Sequence, residues 1–263
     1  MNYYLDTEFL EGPQNKKTFG INYKTPPTID LISIGIVSDD DREYYAISKD
    51  FNLSEAWGRF QIEQYSGDMR NKFPKGNKVY WIRENVLKKV FNDLLKIEIS
   101  EYHSYEDEFA EAPSSDFTYR RLKELISRYG KTNKEIAAEI ITFCNPKSLK
   151  ARLCGIEVIE PVDFPVFYAY YADYDWVVFC WLFGSMMNLP KGFPMYCRDL
   201  KQIIDEKASS FTDKWIDENQ EFDARLIYIK RMPGYPKQDQ SKAHSAIDDA
   251  RWNKLFHEFL TSF

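Results

Sequence analysis

The sequence lacks the features that mark a membrane or secreted protein. No run among its 263 residues approaches the roughly 20 consecutive apolar residues that span a membrane. The first residues contain neither a basic segment nor an apolar one, which argues against a secretory signal. These absences predict a cytoplasmic protein whose fold begins within a few residues of Met1.

Cysteine and histidine are too few and too scattered for the common zinc sites. The four cysteines contain no Cys-x-x-Cys pair, and the three histidines contain no His-x-x-x-His pair. Cys180 lies in an apolar run, which predicts a buried thiol in a reducing compartment. Zinc sites and dithiol redox chemistry are therefore disfavoured.

Positive charge is also scarce. The formal net charge is −6, which argues against a broadly basic surface for nucleic acid. It does not exclude an enzyme that recruits nucleic acid through bound cations and a local groove. Hydrophobic residues make up 44% of the chain and aromatic residues 16%, which is ample for a packed core.

The chain does contain, close to its start, two carboxylates in a segment typical of a β-strand. Residues two apart in a strand point to the same face, so we expect Asp6 and Glu8 side by side. Like charges this close repel and raise each other's pKa. A divalent cation relieves the repulsion, and oxygen ligands suit Mg²⁺ or Mn²⁺. Taken alone, the pair also fits an edge strand with solvated acids.

Hydrophobic spacing predicts the elements of the first half of the chain. The predicted strands are 3–9, 30–38 and 43–48, and a short turn between the last two favours an antiparallel meander. The polar stretch from Gly12 to Pro27 is interpreted as a loop. The predicted helices are 79–99, one from Asp116 to about 129, and one that begins at Thr132 or Asn133.

In the second half, residues 165–172 predict a central strand, and Asp173 opens a helix that Gly184 ends. Helices are also expected at 196–207 and from Ser245 to about 260. The last helix is predicted to bury Leu255, Phe256 and Phe259. A short strand fits 224–229, inside an otherwise irregular stretch.

Polar residues that are distant in the sequence are expected to converge. In an α/β fold, strand ends and the helices that follow them gather on one rim. Asp175 follows the central strand, and His244 precedes a helix start that carries Asp248 and Asp249. With the opening pair and one acid of this doublet, four carboxylates and one histidine become available. This set suits two-metal phosphodiester hydrolysis, in which a neutral histidine accepts the proton of the attacking water.

The order of these residues resembles that of the DEDDh 3′-5′ exonucleases, which have the ribonuclease H-like fold. More narrowly, the chain resembles a branch of small bacterial and phage exoribonucleases that includes a polyadenylate-specific member. The matching stretches are Tyr4–Phe9, Leu31–Gly35, Glu43–Ala46, Ala172–Asp175 and His244–Arg251. The segments at about 98–130 and 208–240 have no counterpart and are interpreted as insertions outside the central sheet.

The resemblance implies one exonuclease domain over 1–263. Its fold class is α/β, with a mixed central sheet of an antiparallel meander plus parallel strands, flanked by helices. The resemblance also implies that two Mg²⁺ or Mn²⁺ ions are held by four carboxylates, those of Asp6, Glu8, Asp175 and Asp249. His244 would be the general base. Phe9 would lie against the terminal base, although an aromatic at this position also fits the core.

The implied activity is release of nucleoside monophosphates from the 3′ ends of single-stranded RNA. The preference for RNA over DNA rests on the resemblance alone. A 3′-5′ DNA exonuclease, and a non-catalytic module that binds a nucleotide or a partner on the same fold, are the alternatives. No membrane partner is expected, and a homodimer is compatible with the sequence.

Two arguments disagree about the Asp248-Asp249 doublet. Residues four apart share a helix face, which favours Asp248 as the companion of His244. The family pattern places four residues between the histidine and the acid, which selects Asp249. We expect Asp249, because His244 is predicted to precede the helix, where helical spacing does not apply. Asp248 is then a first-turn acid that complements the helix dipole.

Overall fold

The segments with strand-like sequence assemble around one mixed sheet. The computed structural model describes residues 1–63, 76–104, 113–144, 164–207 and 224–262. The strands are Asn2–Gly12 (β1), Asn15–Thr18 (β2), Ile21–Lys24 (β3), Thr28–Ser38 (β4), Glu43–Ile47 (β5), Gln61–Glu63 (β6), Asn77–Val79 (β7), Val166–Ala169 (β8) and Arg198–Asp199 (β9).

Helices surround the sheet. They are Leu53–Gly58 (α1), Lys88–Ser104 (α2), Tyr119–Tyr129 (α3), Asn133–Cys144 (α4), Asp173–Leu182 (α5), 200–207 (α6), Ala224–Lys230 (α7) and Ala246–Thr261 (α8). A π-helical turn at Arg83–Leu87 leads into α2, and a 3₁₀ turn at Met186–Asn188 follows α5. Within the described ranges, no helix combines the length and the apolar character that a membrane crossing requires.

The five-stranded sheet has the order β5-β4-β1-β8-β9. β4 pairs antiparallel with both β1 and β5, and β8 pairs parallel with β1 and β9. This arrangement confirms the predicted α/β class, with an antiparallel meander extended by parallel strands and flanked by helices. It is the strand arrangement expected of a ribonuclease H-like fold.

The two faces of β1 pack against different helices. Tyr3 and Leu5 are buried with side chains of α4 and α5. Tyr4 is buried with Phe256 of α8, and Leu10 with residues of α2 and α3. Because side chains alternate along a strand, the even-numbered Asp6 and Glu8 share the face that carries Tyr4 and Leu10, which is the face covered by α8.

Several predicted boundaries are wrong for local reasons. The stretch from Gly12 to Pro27 contains the β2–β3 hairpin, whose tip residues Phe19 and Gly20 have φ of 49° and 82°, as a tight hairpin turn requires. The helix expected at 79–99 continues to Ser104. Asp116 is not the cap of α3, because the Thr118 hydroxyl accepts the Arg121 N–H at 3.2 Å. Thr132 caps α4 by accepting the N–H of Glu135.

The later helices also differ from expectation. Residues 224–230 form a helix instead of a strand, and Leu226 and Ile229, three residues apart, are both buried. The segment expected as a helix at 196–207 begins with β9, so only 200–207 are helical. Leu255 is 54% exposed and not buried, because it lies on the side of α8 opposite Asn253, Phe256 and Leu260.

The proposed insertions remain predictions. Within the first, α3 buries Leu122, Leu125 and Ile126 in the core that also contains Ile32 of β4. Residues 105–112 of the first segment and 208–223 of the second lie outside the described residues.

Helix α8 lies unusually close to the sheet at Gly35 of β4. A Cβ atom at Gly35 would lie 2.5 Å from the Cα of Ile247, so only glycine fits there. The buried Asn253 amide donates to the Leu5 carbonyl at 2.9 Å and ties the same helix to β1. Gly35 pairs with Asp6 in the sheet, so this close contact places the first turn of α8 beside the opening carboxylates.

We expect Gly35→Ala to lower the free energy of unfolding by about 1–3 kcal/mol, the usual cost of overpacking a tight contact. Urea titration followed by circular dichroism measures the change. Gly58→Ala is the matched control, because a Cβ at this helical position meets nothing within 4 Å, and the alanine should hold or raise stability. Equal stability of the two variants would contradict the close contact.

Candidate active site

Four carboxylates meet where β1 extends beyond β8. The pairing of β1 with β8 ends at Tyr4, so Asp6 and Glu8 lie just past the covered part of the strand. Asp175 stands in the first turn of α5, and Asp249 in the first turn of α8. The ligand atoms of Glu8, His244 and Asp249 lie within 4.8 Å of one another. The structure thus brings together residues from three separate parts of the chain.

Asp175 is oriented by the strand between the two opening acids. Its Oδ1 accepts the Thr7 N–H at 2.8 Å and the Thr7 hydroxyl at 2.6 Å. Sequence reasoning missed Thr7. Its alternation with Asp6 and Glu8 places its side chain on the opposite face of β1, and this is the face on which α5 packs. The alternation along β1 was therefore the sequence signal that could have identified Thr7 as a partner of Asp175.

Asp249 is held by the segment that precedes it. Its Oδ1 accepts the Gln238 amide at 2.5 Å, and its Oδ2 accepts the His244 backbone N–H at 2.8 Å. His244 has a φ of 65°, a left-handed conformation that is rare for a residue with a side chain and that recurs at functional sites. Gln238 lies in an irregular stretch without periodicity, so the sequence contained no signal for it.

Asp248 belongs to a different network. Its Oδ1 accepts from Arg251 at 2.7 Å, and Arg251 also binds the carboxylate of Glu43 on β5 at 2.5 Å. His244 precedes α8, as the sequence predicts, so helical spacing does not relate it to Asp248. The geometry brings Asp249 to the other acids and leaves Asp248 in a surface ion-pair network.

The electrostatics follow from burial and proximity. Burial, and then the charges of Asp249 and Asp175, raise the pKa of Glu8 to about 8. Burial raises the pKa of Asp175 to about 7 and that of Asp249 to about 6, although hydrogen bonds oppose both shifts. The pKa of Asp6 is also raised, by burial and by the other three carboxylates. Without a cation, the cluster therefore resists full ionisation near pH 7.

The donor set fits divalent cations. In the described parts of the chain, no Lys or Arg forms a salt bridge with these four carboxylates. Clustered oxygen ligands without a cationic partner are what Mg²⁺ or Mn²⁺ prefers. Bound cations would supply the positive charge that the side chains do not.

His244 is held in place by α2 and by the turn that leads into it. The Lys89 ammonium donates to the Ser241 carbonyl at 2.9 Å and also to the Ala243 carbonyl. The His244 ring packs edge to face with Trp81, at a centroid distance of 4.7 Å. Burial, and to a lesser extent Lys89, lower the pKa of His244. The imidazole is therefore neutral at pH 7 and able to accept a proton.

Phe9 lies where the core meets the helix that carries Asp175. The β-bulge beside it lies in β4, because Glu8 pairs with Ser33 and Phe9 with Leu31, which leaves Ile32 as the extra residue. Phe9 is partly buried against the core, and its ring lies 5.6 Å from that of Tyr174, the residue before Asp175. A cavity of about 200 Å³ reaches two of the acids and is lined by Asp6, Tyr170, Lys230, Tyr235, Gln238, Asp249, Trp252 and Asn253.

Comparison with known proteins gives distant relatives. No protein-family model matches the chain. Two curated proteins of Mycobacterium tuberculosis, from strains CDC 1551 / Oshkosh and ATCC 25618 / H37Rv, are each 25% identical to it over 262 residues. Each match covers 100% of this chain and 94% of the relative. Both relatives are named as 3′-5′ exoribonucleases.

We expect the metal-free protein to lose stability as pH rises from about 4, the ordinary pKa of a carboxyl group, to about 8, the pKa of Glu8. A raised pKa in the folded state means that the native protein binds more protons than the unfolded chain across this window, so the free energy of unfolding falls with pH. Urea titrations in EDTA at several pH values measure the slope.

The change of stability with pH should be compared between the wild-type protein and Asp6→Asn. The amide removes one of the four interacting charges, so the decline with pH should be shallower and stability at pH 8 equal to or above wild type. Addition of Mn²⁺ should stabilise the wild-type protein most at high pH, where the ligands are ionised. Identical slopes for both proteins would show that the carboxylates do not repel one another.

Proposed function

We propose that the protein is a metal-dependent 3′-5′ exoribonuclease of the DEDDh group, which releases nucleoside monophosphates from single-stranded RNA. The observation that carries the proposal is the convergence of four carboxylates, which form no salt bridge with a described Lys or Arg, with a neutral His244. The full-length similarity to two proteins named 3′-5′ exoribonucleases supports an RNA-directed exonuclease. Membership of the polyadenylate-specific branch, a cytoplasmic location and a homodimer remain predictions.

Asp6, Glu8, Asp175 and Asp249 would hold two Mg²⁺ or Mn²⁺ ions. Such ions, when bound, stabilise the charge on the attacking and leaving oxygens of a phosphodiester. The protein's own contribution is orientation. Thr7 fixes one carboxylate through two hydrogen bonds, and Gln238 with the His244 N–H fixes another. Ligands held in this way pay little entropy when a cation binds.

His244 would act as the general base. Its ring is neutral near pH 7 and lies beside Glu8 and Asp249, so it flanks the place where the scissile phosphate would be held. It would accept the proton of the attacking water, and the protonated ring would remain close to two carboxylates that stabilise it. The Lys89 contacts to the preceding turn keep the imidazole in position during this transfer.

Phe9 and Tyr174 would hold the terminal nucleoside. Phe9 follows Glu8 and Tyr174 precedes Asp175 in the chain, their rings lie 5.6 Å apart, and Tyr174 is 48% exposed. Stacking on an aromatic face holds an unpaired base without selecting its identity. This arrangement suits an enzyme that removes successive nucleotides from a single strand.

The direct test is hydrolysis of matched RNA and DNA oligonucleotides that carry a label at either end. With Mn²⁺, we expect a 3′ label to be released first as a mononucleotide, and a 5′ label to give a ladder that shortens with time. RNA should be degraded faster than DNA, and EDTA should stop both reactions. Faster loss of DNA would favour the deoxyribonuclease alternative, and no release from either substrate would contradict the proposed activity.

The neighbouring acids Asp249 and Asp248 give a matched pair of variants. Asp249→Asn should nearly abolish turnover and weaken Mn²⁺ binding measured by calorimetry, because it removes a charged ligand held beside His244. Asp248→Asn should retain turnover and lose roughly 0.3–1 kcal/mol of stability, since it only weakens an exposed ion pair and a helix-dipole contact. The reverse ranking would mean that the spacing between histidine and acid was misread.

A further inference from the structure

Aromatic and basic side chains alternate on the surface next to His244. They belong to the β6–β7 hairpin and to the segment that leads into α2. We call this the hairpin surface and define it as Phe60, Lys78, Tyr80, Trp81 and Arg83. Phe60 is 42% exposed and Trp81 is 40% exposed, so large apolar rings face solvent in a region that the core does not require them to cover.

Four members of the hairpin surface form a continuous row, and Trp81 adjoins it through the chain. The Lys78 ammonium lies 4.2 Å from the centre of the Phe60 ring, and that ring lies 5.9 Å from Tyr80. The Arg83 guanidinium lies 4.0 Å from the centre of the Tyr80 ring. Cations placed over aromatic faces stabilise each other's positions. The row is thus pre-ordered, with charge and aromatic surface side by side.

The charge of this region differs from that of the whole chain. Residues 77–89 contain four Lys or Arg residues and one acidic residue, Glu84, whereas the whole chain has a net charge of −6. A basic stretch on an acidic protein attracts a polyanion locally while the remaining surface repels it. The anion expected here is phosphate, because the proposed metal site beside the hairpin surface would also bind a phosphate group.

The row leads to the candidate active site. Trp81 follows Tyr80 in the chain, and its ring contacts the imidazole of His244 at a centroid distance of 4.7 Å. His244 in turn lies beside Glu8 and Asp249. A strand whose 3′ end is held at the carboxylates could therefore continue along the hairpin surface without a break.

We propose that the hairpin surface binds the nucleotides of single-stranded RNA that lie upstream of the bond to be cut. Bases stack on Phe60 and Trp81, and Lys78 lies near the phosphates. Arg83 forms an ion pair with Glu84 at 2.8 Å and holds the Tyr80 ring in place. This inference rests on the proposed function and extends it, because it identifies how the enzyme distinguishes a longer strand from a dinucleotide. Stacking and charge together give affinity for a single strand without base selection.

The test compares a ten-nucleotide RNA with a dinucleotide, using full-length protein and Mn²⁺. Phe60→Ala should raise KM for the longer RNA by roughly tenfold, as expected for the loss of one stacking face. Its kcat, and its kinetics on the dinucleotide, should stay at the wild-type values. Leu255→Ala is the control, since Leu255 is an apolar residue on the outer side of α8 that is 54% exposed.

Lys78→Gln tests the electrostatic half of the proposal. If Lys78 neutralises one phosphate, the slope of log KM against log salt for the ten-nucleotide RNA should decrease by about 0.7. Lys134→Gln, an exposed lysine in α4, should leave the slope unchanged. Lys78 is also exposed, so this variant remains informative if Phe60→Ala fails to fold.

The outcomes separate this inference from the proposed function. Unchanged KM and salt dependence in both hairpin variants would overturn the inference while leaving the exonuclease intact. A wild-type protein that degrades no RNA would overturn the proposed function. In that case, fluorescence anisotropy of the labelled ten-nucleotide RNA still decides the inference, because equal affinity of wild type and Phe60→Ala would exclude the hairpin surface as a binding site.

Discussion

The structure around the candidate site depends on mutual repulsion between carboxylates that the fold holds close together. Asp6, Glu8, Asp175 and Asp249 have raised pKa values because burial and neighbouring negative charges both disfavour ionisation. The acids stay close together only because stronger contacts elsewhere fix the strand and the helices that carry them. Those contacts are the close approach of α8 to the sheet and the hydrogen bonds from Asn253 and Thr7.

The same repulsion connects stability with chemistry. Repulsion between the carboxylates lowers the stability of the metal-free protein, and a bound cation removes that repulsion. Metal affinity, protonation and folding stability are therefore linked. His244 lies beside Glu8 and Asp249, and burial and the nearby Lys89 lower its pKa and keep its ring neutral. One arrangement therefore combines clustered carboxylates with a neutral imidazole, which are the two components that the proposed metal-assisted hydrolysis of a phosphodiester needs.

Negative and positive charge are distributed unevenly around the candidate site. The carboxylates occupy a partly enclosed position beside α8, whereas the basic and aromatic residues lie outside, on the β6–β7 hairpin and the approach to α2. The net charge of −6 described the whole chain correctly but hid this local contrast, because a sum over residues contains no information on where they lie. Attraction of an anionic polymer depends on the local field and not on the total.

The sequence by itself determined four of the five strands of the central sheet, the position of Asp6 and Glu8 on one face, and the helices that follow Asp173 and Ser245, because hydrophobic period is a property of neighbouring residues. The fifth strand, β9, was expected to be helical. It also pointed to Asp249 through the position of His244 before its helix. Only the tertiary structure decided that Leu255 faces solvent, that 224–230 is helical, and that Thr7, Gln238, Lys89 and Trp81 support the site. These features depend on contacts between segments far apart in the chain, for which local periodicity contains no signal.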